Sequence, residues 1–249
     1  MKKNSFKIQG LYRSEKFFLR NLKKKNSKHY WSSKKDPDGV ERDRIRNFSL
    51  EKKIFLRNNK LLIKTIRNLK FRSLCDVGCG PGFLLSAFKG KKLFGIENDK
   101  DAIKKAKNFG TIYHFDLNKK NILKNKFDVV VCYHVIEHVK NPQRLINFLK
   151  NILKKNGKLI IGTPDFDSAM ARKFGDKYRM LHDKTHISLF SFDSLLRFLR
   201  KNKFKVINVD FPYFETSYFT KKNILKVFNK NKISPPFYGN FITVTAEKK

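Results

Sequence analysis

Two groups of residues in this sequence could do chemistry. The first is Asp76-Val77-Gly78-Cys79-Gly80-Pro81-Gly82, followed by Glu97, 19 positions after Gly78. Glycines at every second position let the backbone turn tightly and admit a ligand where a Cβ would block it. An acid at a strand end about twenty residues past such a loop can accept from ribose hydroxyls. Asp76, just before the loop, would repel a pyrophosphate but can pair with an ammonium group. The spacing is also G-x-G-x-G, not the G-x-G-x-x-G of dinucleotide binders. The pattern therefore favours a ligand with a ribose and an amino acid over NAD.

The second group is His134-Val135-Ile136-Glu137-His138, with His182 and His186 further along. An imidazole with an unperturbed pKa of about 6.5 can accept a proton at neutral pH. The first cluster matches H-x-x-E-H, an inverted zinc-protease signature. That chemistry needs a long helix carrying both histidines. Here the motif follows an apolar strand and is cut off by Asn141-Pro142, which argues against zinc proteolysis. His182 and His186 are four apart, so one helical turn would put them on one face. That suits substrate binding or proton removal; surface or capping histidines would show the same spacing.

Elements that could position these residues alternate along the chain. Ser73 to Val77, Lys92 to Ile96, Thr111 to Phe115, Phe127 to Tyr133, Lys158 to Thr163, Phe204 to Phe211 and Phe241 to Ala246 read as strands. Phe83 to Phe88, after the glycine loop, and Asp101 to Asn108 read as helices, as does the stretch 50–70. Asn141 and Pro142 start another helix as N-cap and first-turn residue, and Ser191 caps a further one. Such alternation implies a mostly parallel sheet with helices on both faces. Two longer stretches, 164–190 and 212–238, follow strand ends on the ligand side and read as lids. Residues 1–49 read as a basic arm, helical in part, with 29–48 as a cap over the site. Residues 50–249 form the main domain.

The motif Asp76 to Gly82 with Glu97 resembles the cofactor site of class I S-adenosylmethionine-dependent methyltransferases. The likeness continues through Phe115-Asp116-Leu117, Phe127 to Pro142 and Gly157 to Pro164, and is nearest to small-molecule methylases similar to quinone-biosynthesis O-methyltransferases. It implies a Rossmann-like, doubly wound sheet of seven strands with the last antiparallel, and S-adenosylmethionine as cofactor. Asp76, Gly78, Cys79, Gly80 and Gly82 would face its methionine part, and Glu97 with Asn98 its ribose. Asp116 would accept from the adenine amine while Leu117 packs on the ring; Tyr133 and His134 would complete the cofactor site. Glu137 and His182 would meet the substrate, and His138 or His186 would act as general base. Some quinone methylases use an acidic-His cluster for a divalent ion here. This chain has His134 where those have an acid, so no metal ligands are assigned.

Composition bounds the rest. With 57 basic and 21 acidic residues the chain carries a formal charge of +36. Lysine far outnumbers arginine and is scattered through every element, which reads as an AT-rich coding bias with only non-specific nucleic-acid affinity. Residues 1–35 hold twelve basic residues and one acid, interleaved with apolar ones, a pattern that suits peripheral contact with a membrane surface. No apolar run approaches the ~20 residues needed to span a bilayer. Cys75, Cys79 and Cys132 fit neither a zinc ribbon nor a disulfide framework, and no signal-peptide pattern opens the sequence; both point to the cytoplasm. The expected activity is methyl transfer to an oxygen or nitrogen of a small molecule. RNA or protein methylation, suggested by charge, and a non-catalytic cofactor-binding protein at a membrane surface are the alternatives.

Overall fold

The computed structural model describes residues 11–13, 18–20, 31, 34–35, 41–119, 123 and 126–249. Seven strands form the central sheet: β1 (Ser73–Val77), β2 (Lys92–Glu97), β3 (Thr111–His114), β4 (Phe127–Tyr133), β5 (Leu153–Pro164), β6 (Phe204–Asp210) and β7 (Phe241–Lys248). Their order is β6-β7-β5-β4-β1-β2-β3. Strands β3, β2, β1, β4 and β5 pair in parallel, whereas β7 runs antiparallel to both β5 and β6. The antiparallel seventh strand thus lies inside the sheet.

Alternation along β4 shows why the sheet is covered twice. Val130 and Cys132 join one buried cluster, with Leu145, Ile146 and Leu149 of helix α4 (Pro142–Ile152) and Leu195, Phe198 and Leu199 of α7 (Phe192–Lys201). Val129 and Val131 point the other way, into a cluster with Leu62, Ile63 and Ile66 of α2 (Lys60–Asn68). Each such fully buried side chain contributes about 1.5–3 kcal/mol relative to exposure. Both capping signals hold: the Asn141 side chain accepts from Arg144 N–H, and Ser191 and Ser194 form a reciprocal capping box.

Three local expectations differ. The helical stretch 50–70 is two helices, α1 (Phe48–Asn58) and α2, broken at Asn59, and α1 buries no residue. Phe83 to Phe88 is a single 3₁₀ turn (Leu85–Ala87): Phe88 is already extended and Gly90 has φ 70° before β2 begins at Lys92. The described parts of the basic N-terminal stretch are extended. Leu11–Arg13 pairs antiparallel with Phe18–Arg20, which pairs with Ser188–Leu189. Within the expected cap at 29–48, the described strands Lys34–Lys35 and Glu41–Arg42 pair antiparallel, and residues 36–40 lie outside the described residues.

Helices α3 (Lys100–Ala106), α5 (Ala169–Phe174), α6 (Arg179–His182) and α8 (Lys221–Lys226) complete the chain. The stretches 164–190 and 212–238 pack on each other: Phe166, Met170, Phe174, Tyr178 and Met180 form a third cluster, against which Val227 and Phe237 rest. Buried Tyr178 fastens it, its hydroxyl donating to the Asp165 carbonyl at 2.9 Å.

Candidate active site

Strand β1 delivers Asp76 and then the glycine loop. Gly78, Gly80 and Gly82 adopt φ of 78°, 52° and 82°, a region side-chain-bearing residues rarely enter. The space a Cβ would fill at Gly78 is taken by Val135, and at Gly80 by the Trp31 indole. The loop's glycines therefore serve the protein's own packing as well as its turn. Gly80 and Gly82 do not line the cavity, whereas Gly78 and Cys79 do.

Strand β2 ends beside the same loop and delivers Glu97. Its Oε2 accepts from Gly80 N–H at 2.8 Å, and its Oε1 from Asn98 and Asp99 N–H at 2.7 and 3.0 Å. Oε1 already accepts twice, whereas Oε2 retains a second lone pair for a hydroxyl. Burial raises the Glu97 carboxyl above its ordinary value, partly offset by those amides. Burial, then the nearby Glu97 charge, pushes Asp76 up to about 7. A buried acid beside a half-buried one makes this end of the cavity seek a cation. After β3, Asp116 accepts from Asn118 N–H at 2.9 Å, and Asp116 and Leu117 line the far wall.

Strand β4 delivers the histidine cluster. Tyr133, at its end, is pushed up to about 12, chiefly by burial. His134 has φ 56°, its N–H donates to Gly162 O at 2.9 Å, and its ring stands between those of Tyr133 and Phe241. Its Nδ1 lies 3.2 Å from Glu137 Oε1, while Glu137 Oε2 accepts from Thr163 Oγ1 at 3.1 Å. Glu137 is fully buried. Burial opposes its ionisation, but the His134 bond and the neighbouring imidazoles hold it down at about 2. His138 closes a 3₁₀ turn (Ile136–His138), with Nδ1 3.1 Å from Thr185 O.

The stretch 164–190 supplies the opposite wall. His186 is buried, its Nδ1 2.6 Å from Met180 O and its ring 4.8 Å from that of His138. Burial and then His138 push it down to about 4, so it is neutral at physiological pH. In both imidazoles a backbone carbonyl facing Nδ1 sets the tautomer with the lone pair on Nε2. His182 is exposed and absent from the cavity wall: α6 ends there and Asp183 is extended, so His182 and His186 never share a helical face.

Glu137, His138 and His186 bring ligand atoms within 4.8 Å of one another, a spacing that could hold a metal ion. Both Glu137 oxygens already accept, from His134 and Thr163. Sequence reasoning missed Arg44, Arg179 and Asp183, which also line the cavity. Arg179 Nε is buried with no hydrogen-bond partner. Single residues of this kind, outside any motif, carry no sequence signal of their own.

The cavity has a volume of about 1060 Å³ and runs from Asp116 and Leu117, past Asp76 and Glu97, to His138 and His186. A model of the methyltransferase domain matches residues 41–209, and the chain belongs to that family. An S-adenosylmethionine-dependent methyltransferase of Thermotoga maritima superposes with a TM-score of 0.58 at 21% identity, covering 82% of this chain and 93% of that one. Another, from Archaeoglobus fulgidus, gives 0.54 at 21% identity, covering 81% and 99%. Among curated relatives, the ubiquinone biosynthesis O-methyltransferase of Glaesserella parasuis is 33% identical over 37% of this chain and 45% of its own length. An uncharacterized protein of Methanocaldococcus jannaschii is 28% identical over 71% of this chain and 68% of its own length.

The cofactor of this methyltransferase is S-adenosylmethionine. The residues present fit it: a buried acid for an ammonium, a strand-end acid for a ribose diol and an acid with a leucine for adenine.

Proposed function

We propose that the protein transfers a methyl group to an oxygen or nitrogen of a small-molecule acceptor seated between His138 and the lid. The observation that carries this reading is the pair of imidazoles 4.8 Å apart on the cavity wall. When bound, S-adenosylmethionine supplies an activated sulfonium methyl. Asp76 would take its ammonium, Glu97 its ribose, and Asp116 with Leu117 its adenine. Arg44, with its guanidinium 5.9 Å from the Trp31 ring that covers Gly80, is suited to a carboxylate.

His138 is the better base of the two, because a base works best with a pKa near the operating pH and His186 is held at about 4. His186 would confine His138 and shape the pocket, and Glu137 would hold His134 rather than touch substrate. Holding acceptor and methyl in line can supply roughly 7–11 kcal/mol. The buried Nε of Arg179 suits an acceptor with an acidic or carbonyl group.

Labelled cofactor incubated with a cell extract, then fractionated into small metabolites, lipids, RNA and protein, tests the acceptor class. Label confined to RNA or protein would overturn the small-molecule reading. With His138 as the base, a chelator should leave transfer intact. Loss of transfer on chelation would instead assign Glu137, His138 and His186 to a divalent ion.

A further inference from the structure

Large exposed apolar side chains are concentrated in one stretch of this molecule. Nine are exposed among the described residues, and seven of them lie between Phe214 and Tyr238: Phe214, Phe219, Ile224, Leu225, Phe228, Ile233 and Tyr238. Phe228 is 77% exposed, Phe214 61% and Leu225 59%, so these are not residues left at the rim of a core. Phe214 packs its ring against both Phe219 and Tyr238, at 5.3 and 5.4 Å, making a continuous aromatic platform. Helix α8 continues from it and exposes Ile224 and Leu225.

Charge on the same stretch is predominantly positive. Lys221, Lys222, Lys226, Lys230 and Lys232 are all exposed, and Glu215 is the one acid between 212 and 238. A further lysine, Lys173 of α5, lies 5.5 Å from the Phe228 ring. Scattered exposed apolar residues are ordinary, but a cluster rimmed by cations is not. Aromatic and aliphatic side chains among lysines suit a bilayer interface, where the rings enter the headgroup region and the lysines meet anionic lipid. Monomer solubility alone would select against such a surface.

We propose that the face formed by residues 214–238 docks the protein onto an anionic lipid surface. This is a different surface from the basic stretch at the start of the sequence, and it belongs to the lid. Tyr218, within the same stretch, lines the cavity. Docking therefore sets that end of the cavity beside the headgroups. The inference does not depend on the acceptor's identity.

The test is co-sedimentation of the full chain with vesicles of phosphatidylcholine alone or with about a third phosphatidylserine, at near-physiological salt. Binding should be strong only with the anionic lipid. Neutralising Lys222 and Lys226 to Gln should weaken it by about fivefold per lysine. The double variant Leu225→Ser, Phe228→Ser keeps every charge and should weaken it by about tenfold or more. Leu50→Ser, an exposed leucine elsewhere, is the control and should change nothing. Calorimetry of cofactor binding should show all variants intact. Unchanged vesicle binding in the Leu225, Phe228 variant would overturn the proposal and leave only diffuse attraction by the net charge. So would a wild-type dimer that this variant splits, because the face would then be a contact between copies.

Discussion

Asp76 and Glu137 are both buried carboxylates, one near the end of β1 and the other in the 3₁₀ turn after neighbouring β4, and both face one cavity, yet they behave oppositely. Asp76 is pushed up to about 7 and Glu137 is held down at about 2. Desolvation acts on both in the same sense. The difference is in the neighbours each acid is given. Glu137 has its partner built in, through His134 three residues earlier. Asp76 has only another acid, Glu97, close by. A buried acid with its own hydrogen-bonding partners is part of the structure; one without is waiting for a ligand to bring them. The same chain thus reads as a binding end and a reacting end.

The largest effect should come from the reacting end. His138→Ala should slow single-turnover methyl transfer by about 10²–10⁴-fold and leave cofactor affinity unchanged. A loss of less than about tenfold would mean that the imidazoles only shape the pocket. Glu137→Ala should then cost about 3 kcal/mol of stability, because it strands His134 and Thr163 beside a buried hole. Denaturant unfolding with an unchanged midpoint would erase the contrast between the two acids.

Asp76→Asn should do the reverse. Cofactor affinity should fall by about 1.5–3 kcal/mol, the worth of a hydrogen bond to a charged group, as read by calorimetry. Ligand-free stability should meanwhile rise at alkaline pH. Between about pH 4 and 7 the native state keeps a proton on Asp76 that the unfolded chain has lost. Wild-type stability from this group therefore falls as pH rises through that window, and the variant escapes the loss. Thermal melts of the two that run parallel from pH 4 to 8 would show that Asp76 does not titrate there.

The smallest effect is a proton count. Binding an ammonium ligand should ionise Asp76, releasing about half a proton at pH 7 and less at higher pH. Calorimetry in buffers of different ionisation enthalpy reads this directly. Affinity should correspondingly weaken as pH falls below about 7. Proton uptake in place of release would contradict the assignment of Asp76.

Much of the binding end was legible in the sequence because its signals are local. Glycine spacing, a strand-end acid and apolar runs of strand length are each set by a few adjacent residues. Asn141 and Ser191 announced their helices for the same reason. The reacting end was legible only in part. His138 and His186 meet across 48 residues, through backbone carbonyls of Thr185 and Met180 that carry no side-chain signature. His182 looked equivalent to His186 until α6 ended beneath it. Trp31 covering Gly80 and Arg179 entering the cavity depend on tertiary packing, which periodicity does not encode.

The antiparallel strand β7 carries a consequence for biogenesis. It sits between β5 and β6, yet it is synthesised after both, more than seventy residues beyond the end of β5. A ribosome therefore exposes β5 as an unpaired edge of a nearly complete parallel sheet until residue 248 has emerged. Open edges of that kind recruit other strands. Cellular yield should accordingly depend on how fast translation runs from β5 to β7, and on chaperones that shield the β5 edge meanwhile.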